Sequence, residues 1–326
     1  MKISLVVPCY NEESVISNTI EVLSALLRDC RAEGLIDAES EILIVDDGSR
    51  DKSWELIDRA ARSRADGEPA VKGLRLSRNR GHQNALLAGL EAAQGDFVVT
   101  IDADLQDDVQ AIKAMLEHAR RGADIVYGVR SSRETDSFFK RSTAQFFYHL
   151  MRLFGVELVF NHADFRGLSR RAVRAMLQYR EVNLFLRGLF PQLGFNSALV
   201  FYERRRREAG ETKYPLGKML SFAWQGITSF STFPLKLLTI LGLSIALPSF
   251  ALIIWALYQH YVSSNTVPGW TSTIVPLMFF SGLQFLAFGV IGEYLGKIYL
   301  ETKRRPRYFI AETTGPEKDQ KGEERA

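Results

Sequence analysis

The sequence predicts an α/β domain built on a mostly parallel sheet, followed by amphipathic interface segments and two C-terminal transmembrane helices. Three observations carry that expectation. Short β-branched apolar runs alternate with helix-like segments over the first two hundred residues, the pattern of a mostly parallel sheet flanked by helices. From Leu237 to Tyr258, 22 consecutive residues carry no charge, and at ~1.5 Å per residue they reach across a hydrocarbon core of about 30 Å. A second uncharged run, Ile274 to Ile291, continues past Glu293 as far as Gly296.

Taken in order, the elements of the first part are Ile3–Val7 as strand, Ser14–Cys30 as helix, Glu41–Val45 as strand and Ser53–Ala65 as helix. Val71–Leu76 follows as strand, Gln83–Ala93 as helix and Phe97–Ile101 as strand. Open sheets of this kind bind ligands beyond the carboxyl ends of their strands, so the residues closing each strand matter most. Here they are Pro8-Cys-Tyr-Asn-Glu12, Asp46-Asp-Gly-Ser49, Ser77-Arg-Asn-Arg-Gly-His82 and Asp102-Ala-Asp-Leu-Gln106.

The chain has 326 residues, 46% hydrophobic and 24% charged, which excludes a disordered or collagen-like polymer. Cys9 and Cys30 are too few to staple it, and its start enters strand-like sequence directly, so the bulk is expected in a reducing cytosol. A net charge of +3 demands no nucleic-acid partner. No G-x-x-x-x-G-K-[ST] or G-x-G-x-x-G follows a strand, which argues against a P-loop nucleotidase or a nicotinamide enzyme.

These readings divide the chain into a catalytic domain over 1–215, an interface helix or linker over 216–234, two spans (about 237–258 and 274–296) within 235–300, and a cytoplasmic tail over 301–326. Lys218 and Lys236 precede the first span, and Lys297, Lys303, Arg304, Arg305 and Arg307 follow the second, while the stretch between has no Lys or Arg. That asymmetry places both termini in the cytoplasm of a multi-pass protein of the inner (cytoplasmic) membrane. Two buried helices of a soluble core are the plainer alternative. Ser137–Leu158 and Leu216–Phe233 mix aromatic and basic residues as helices in a membrane surface do, with an ordinary core helix as the alternative for the first.

Asp102 and Asp104 leave a strand end with one residue between them, a spacing that lets two carboxylates share one hard divalent cation with phosphate oxygens and water. A solvated turn is the competing reading. Asp46 and Asp47 close the second strand, where Ser49 and Asp51 can cap the next helix. Capping does not require both acids, and a carboxylate reading a base N–H or a ribose hydroxyl would use one. His82, His149 and His162 lack partners at zinc spacing and are expected to be structural.

Val6-Val-Pro-Cys-Tyr-Asn-Glu-Glu13, Val45-Asp-Asp-Gly-Ser49, Asn79-x-Gly81 and Asp102-Ala-Asp-Leu-Gln-Asp-Asp108, in that order, resemble the family 2 inverting glycosyltransferases of GT-A fold. Asp164-Phe-Arg-Gly-Leu-Ser-Arg170, Asn183-x-Phe-Leu-Arg-Gly188, Arg207-x-x-Gly-Glu-Thr-Lys-Tyr214 and the two apolar runs extend the resemblance to the polyprenyl-phosphate branch. That branch holds dolichyl-phosphate mannose synthases and bacterial undecaprenyl-phosphate (bactoprenol) glucosyltransferases.

The resemblance implies that Pro8, Tyr10, Glu12, Asp46 and Asp47 hold the nucleotide sugar together with Asp102, Ala103 and Asp104. Asp102, Asp104 and Gln106 would carry Mg²⁺ or Mn²⁺. Arg130, with Arg133 and Arg141, would meet the lipid phosphate, Arg207 and Lys213 would close over the phosphates, and Asp164 would act as base. A phosphate monoester titrates near pH 6, so a lipid phosphate is largely ionised already, and Asp164 can orient a substrate instead. Thr212 stands for the usual Ser, and Gly167 for a larger apolar residue, which leaves the packing beside Asp164 open.

The expected reaction is metal-dependent transfer of a hexose, from UDP-glucose in the first instance, to undecaprenyl phosphate at the cytoplasmic face. GDP-mannose is the alternative donor. A homo-oligomer is expected, with a flippase and a downstream glycosyltransferase as partners. A processive polysaccharide synthase is disfavoured because no Q-x-x-R-W run occurs and two spans are too few for a polymer channel. A non-catalytic nucleotide-sugar-binding scaffold is the rival from another class.

Overall fold

The computed structural model describes residues 1–63, 67–131, 162–181, 186–203 and 269–314, with a discontinuous set of positions between 228 and 258. In order these form β1 (Ile3–Cys9), α1 (Ile16–Ala32), β2 (Glu41–Asp46), α2 (Ser53–Arg62), β3 (Ala70–Leu76), α3 (His82–Ala92) and β4 (Phe97–Thr100). They continue as α4 (Ala111–Arg120), β5 (Ile125–Arg130), β6 (His162–Ser169), α5 (Arg170–Met176), α6 (Leu186–Gln192), β7 (Ser197–Tyr202), α7 (Trp270–Thr302) and β8 (Ile310–Thr313). The first seven fall where the alternation of the sequence puts them, within two residues at every end but that of α2, which closes at Arg62 rather than at the expected Ala65.

All eight strands join one sheet in the order β7-β5-β6-β4-β1-β2-β3-β8. Strand β1 lies parallel between β4 and β2, β2 parallel to β3, and β5 parallel to β7. Helices cover these strands, so every residue of β1, β2 and β4 is buried, and the strands read as continuous apolar runs rather than alternating ones. Strands β6 and β8 run antiparallel to their neighbours and make the sheet mixed.

Two glycines set close approaches near the strand ends. A Cβ on Gly89 of α3 would lie 2.3 Å from Val6 Cγ1, so only glycine lets α3 settle this deeply on the sheet and bring its first residue, His82, to the tips of the strands. A Cβ on Gly167 of β6 would lie 2.4 Å from two ring carbons of Phe97. The volume of a larger residue at 167 is thus supplied by the buried Phe97 ring, which answers the packing question the sequence leaves open beside Asp164. Gly167→Ala is expected to cost about 1–3 kcal/mol by overpacking, read as a lower midpoint of thermal unfolding. Adding Phe97→Leu is expected to recover part of that loss, since the two sites share one space.

The chain separates into two compact units. One comprises 1–148, 157–213 and 306–326, and the other 149–156 and 214–305. The segment after 301, expected as a cytoplasmic tail, therefore supplies an edge strand to the sheet through β8. Among the described residues one helix, Phe279–Thr302 within α7, is long and apolar enough to cross a membrane, with its most apolar window unburied. It takes in most of the second expected span, whereas most of 237–258 lies outside the described residues. The interface segments 137–158 and 216–233 also lie outside them, apart from Thr228 and Phe233. Two C-terminal transmembrane helices are accordingly reduced to one candidate helix among the described residues.

Candidate active site

An open cleft of about 330 Å³ lies at the carboxyl ends of β1, β2 and β4 and the start of α3. Pro8, Tyr10, Glu12, Asp47, Asp102, Ala103 and Asp104 line it, so the structure brings together most of the residues expected around a nucleotide sugar. Cys9, Asn79, Gly81, His82 and Ala85 complete the wall. Tyr10 stands at the rim, 39% exposed.

The loops that carry these residues are held by their own polar groups. The Ser49 hydroxyl accepts the Asn11 N–H at 2.9 Å, the Ser53 hydroxyl accepts that of Glu12 at 2.9 Å, and the Asn11 side chain accepts that of Arg50 at 2.9 Å. Asn11 and Leu105 have φ of 56° and 48°, left-handed backbone at both cleft loops. For Leu105 that conformation costs about 1–2 kcal/mol, and such strain gathers at functional sites. Asp51 accepts the N–H of Ser53, the first residue of α2, at 3.0 Å, while the N-cap position itself falls on Lys52 and makes no side-chain cap bond.

Adjacent acids take different places. Asp47 accepts the N–H groups of Arg80 and Gly81 at 2.7 and 2.8 Å and still borders the cleft, tying β2 to the turn before α3. Asp46, expected to contact the nucleotide sugar, lies beneath the cleft instead. It is fully buried, accepts the Ser49 N–H and pairs with Arg75 at 3.4 Å. Gln106, expected on the metal, is also buried, and its amide donates to Asp104 at 2.6 Å, so it orients that carboxylate.

Asp102, Asp164 and His82 meet beside this loop. His82 Nε2 lies 3.6 Å from Asp102 and 3.7 Å from Asp164, so the histidine expected to be structural stands between two candidate site acids. Burial pushes the Asp102 carboxyl up, and the neighbouring Asp164, Asp107 and Asp104 push it further, against the downward pull of His82. A divalent cation would offset that concentration of negative charge, and a pair of carboxylates is the donor set a hard cation takes. No cluster of three His, Cys, Asp or Glu side chains disposed to hold a metal occurs among the described residues. The fit thus rests on Asp102 and Asp104, with phosphate oxygens and water supplying the remaining positions.

Asp164 is gripped from two sides. Arg166, two residues along β6 and therefore on the same face, donates to it at 2.7 Å, and Arg187 of α6 donates through two nitrogens at 3.2 and 2.9 Å. Burial alone would raise the carboxyl, but the two guanidinium groups outweigh it and hold it far below the usual carboxylate range. Such a group is a weak base and a firm anchor.

Arg130 ends β5 and donates to Asp107 at 3.1 Å, while Tyr202, its register partner on β7, donates to the same oxygen at 2.6 Å. Arg133, Arg141, Arg207 and Lys213 lie outside the described residues. Sequence reasoning missed Arg166, Arg187, Asp107 and Tyr202. Arg166 is legible only once 162–169 is known to be a strand, and Arg187 sits unassigned inside the Asn183 to Gly188 motif.

Fold and cleft together define an α/β enzyme domain with its ligand site at the strand ends. The family model described as Glycosyl transferase family 2 matches residues 4–177. Uncharacterized glycosyltransferase YkoT of Bacillus subtilis (strain 168) is 49% identical over 310 residues, 94% of this chain and 90% of that protein. Bactoprenol glucosyl transferase of Shigella phage SfX is 41% identical over 311 residues, 95% of this chain and 99% of that protein. The prophage bactoprenol glucosyl transferase homolog of Escherichia coli (strain K12) is 40% identical over 311 residues, 95% and 98% of the two chains.

Glucosyl-3-phosphoglycerate synthase from Mycobacterium tuberculosis, solved with Mn²⁺, UDP and phosphoglyceric acid, is a distant likeness. It has 20% identity and a TM-score of 0.45 over 70% of this chain and 76% of that one. The chain belongs to glycosyl transferase family 2 and is a glycosyltransferase, as its motifs led one to expect.

Proposed function

We propose that this glycosyltransferase moves a hexose, glucose in the first instance, from UDP-glucose to undecaprenyl phosphate at the cytoplasmic face of the inner membrane. The observation that carries the reading is the similarity to bactoprenol glucosyl transferases over 95% of the chain, which includes the apolar C-terminal region as well as the cleft. The product is a polyprenyl-phosphate sugar, which a flippase and a downstream glycosyltransferase would use. The multi-pass topology, the homo-oligomer and the domain limits of 1–215, 216–234, 235–300 and 301–326 belong to this same proposal.

In this reading Pro8, Tyr10, Glu12 and Asp47 border the nucleoside, and Asp102 and Asp104 would hold Mg²⁺ or Mn²⁺. When bound, the cation neutralises charge gathering on the leaving diphosphate. The lipid phosphate attacks already ionised, displacing the diphosphate in line with inversion at the anomeric carbon. Asp164, fixed by Arg166 and Arg187, orients the sugar or the acceptor and takes no proton. Arg130, Arg133, Arg141, Arg207 and Lys213 gather the two phosphate-bearing substrates.

The test uses full-length protein in detergent, undecaprenyl phosphate, Mg²⁺ or Mn²⁺, and radiolabelled UDP- and GDP-sugars, scoring label that enters the organic phase. Label from UDP-glucose alone is the expected result. Label from GDP-mannose would replace the donor, and transfer only to a soluble oligosaccharide would overturn the lipid acceptor.

A further inference from the structure

Four neighbouring strands carry a registered row that runs from the cleft to the edge of the sheet: Cys9 on β1 faces Asp46 on β2, Asp46 faces Arg75 on β3, and Arg75 faces Glu312 on β8. Cys9 lines the cleft, and the three residues beyond it alternate in charge. Residues directly opposite on paired strands share a sheet face, so their side chains meet. Arg75 lies 3.4 Å from Asp46 and 2.8 Å from Glu312, and Trp54 Nε1 donates to the second Glu312 oxygen at 3.0 Å.

The row reaches the cleft wall through further bonds. Asp46 accepts the Ser49 N–H at 3.2 Å, and the Ser49 hydroxyl holds Asn11, the left-handed residue between Tyr10 and Glu12. Arg75 also donates to the Ser49 carbonyl at 3.4 Å. Asp46 has no exposed surface, and Arg75 is its one ion-pair partner among the described residues, so the position of Arg75 decides whether a buried carboxylate stays compensated. Glu312 pulls Arg75 from the other end and thereby sets that position.

Docking of β8 does not depend on Glu312 alone. Gly73 donates its N–H to the Thr314 hydroxyl at 2.6 Å, the Thr314 N–H donates to the Gly73 carbonyl at 2.9 Å, and the Ser77 N–H donates to the Phe309 carbonyl at 2.9 Å. The charge of Glu312 is therefore separable from the strand that carries it.

We propose that Glu312, on the strand following the apolar helix, is a positioning residue for the donor end of the cleft, acting through Arg75 and Asp46 on the Asn11 and Ser49 loops. The inference rests on the reading of this cleft as the nucleotide-sugar site. It gives the return of the chain to the sheet a task beyond capping an open edge: the charge that the C-terminal strand carries to Arg75 helps hold the loops over the nucleoside.

The test compares full-length Glu312→Gln, Glu312→Asp and Thr314→Val in detergent by hydrogen exchange of peptides covering 9–13 and 46–51, and by steady-state kinetics with radiolabelled donor. Glu312→Gln is expected to speed exchange in both peptides and to raise donor KM about twofold to fivefold, the upper part of the range for loss of one partly exposed ion pair. KM for undecaprenyl phosphate and kcat should stay within about twofold. Glu312→Asp is expected to restore much of the donor KM. Thr314→Val, which loosens the strand and leaves the charges, should lower the unfolding midpoint without moving donor KM. Unchanged exchange in both peptides for Glu312→Gln, or an effect equal to that of Thr314→Val on every readout, would overturn the proposal. The exchange measurement needs no substrate, so a wild-type protein inactive with every donor would count against the proposed function while leaving this result readable.

Discussion

Asp164→Ala is expected to unfold at a temperature on the order of 10 °C lower than the wild type, and to lose turnover as well. Arg166 is fully buried and donates to Asp164, so removing the carboxylate strands a guanidinium away from water. Breaking one side of a buried pair costs about 3–5 kcal/mol, and each kcal/mol moves the midpoint of a domain this size by roughly 2–4 °C. Asp164→Asn keeps the shape and one accepting oxygen, so its midpoint should fall less, while its turnover should fall nearly as far.

The pH dependence has a definite sign. Arg166 and Arg187 depress the folded carboxyl against the lift from burial, so its stabilisation is complete above the ordinary carboxylate pKa of about 3.9 and is lost only as pH falls further. A rate profile should therefore show no acidic limb from Asp164 at neutral or mildly acid pH. A limb near pH 6 in the wild type that vanishes in Asp164→Asn would make Asp164 a base after all.

Asp104→Ala is expected to lower metal-dependent transfer about 10²- to 10³-fold, the scale for removing one group that stabilises charge in a transition state. The unfolding midpoint should barely move, because Asp104 sits on a cleft loop and its bonds to Gln106 are local. Chelation by EDTA should silence the wild type, with recovery on excess Mg²⁺ or Mn²⁺, whereas the variant should need more metal for what activity it keeps. Wild-type turnover that persists in EDTA, together with an active Asp104→Ala, would remove the cation from the reaction.

The strand-end acids show how far the sequence carries and where it stops. Asp102 and Asp104 are one residue apart at the end of an apolar run, and both line the cleft, as their spacing implies. Asp46 and Asp47 look equivalent in the sequence, yet the last residue of β2 turns its carboxylate under the loop to Arg75 while the next borders the cleft. Which acid of an adjacent pair faces ligand depends on where the strand ends, and that boundary is fixed by pairing with β1 and β3. His82 was unreadable for a related reason: only the depth of α3 on the sheet, allowed by Gly89, brings it between Asp102 and Asp164.

By itself the sequence determined the first four strands and three helices, the acid-bearing loops at the strand ends, the family and one long apolar helix, because these depend on local periodicity and on motifs contiguous in the chain. Only the tertiary structure decided that β6 enters antiparallel between β4 and β5, that two arginines hold Asp164, and that the segment after 301 returns as β8 to place Glu312 beside Arg75. Each of these joins residues far apart in the chain, Arg75 and Glu312 by 237 positions. Such pairings are selected by the burial and hydrogen bonding of the whole sheet, to which no local pattern is sensitive.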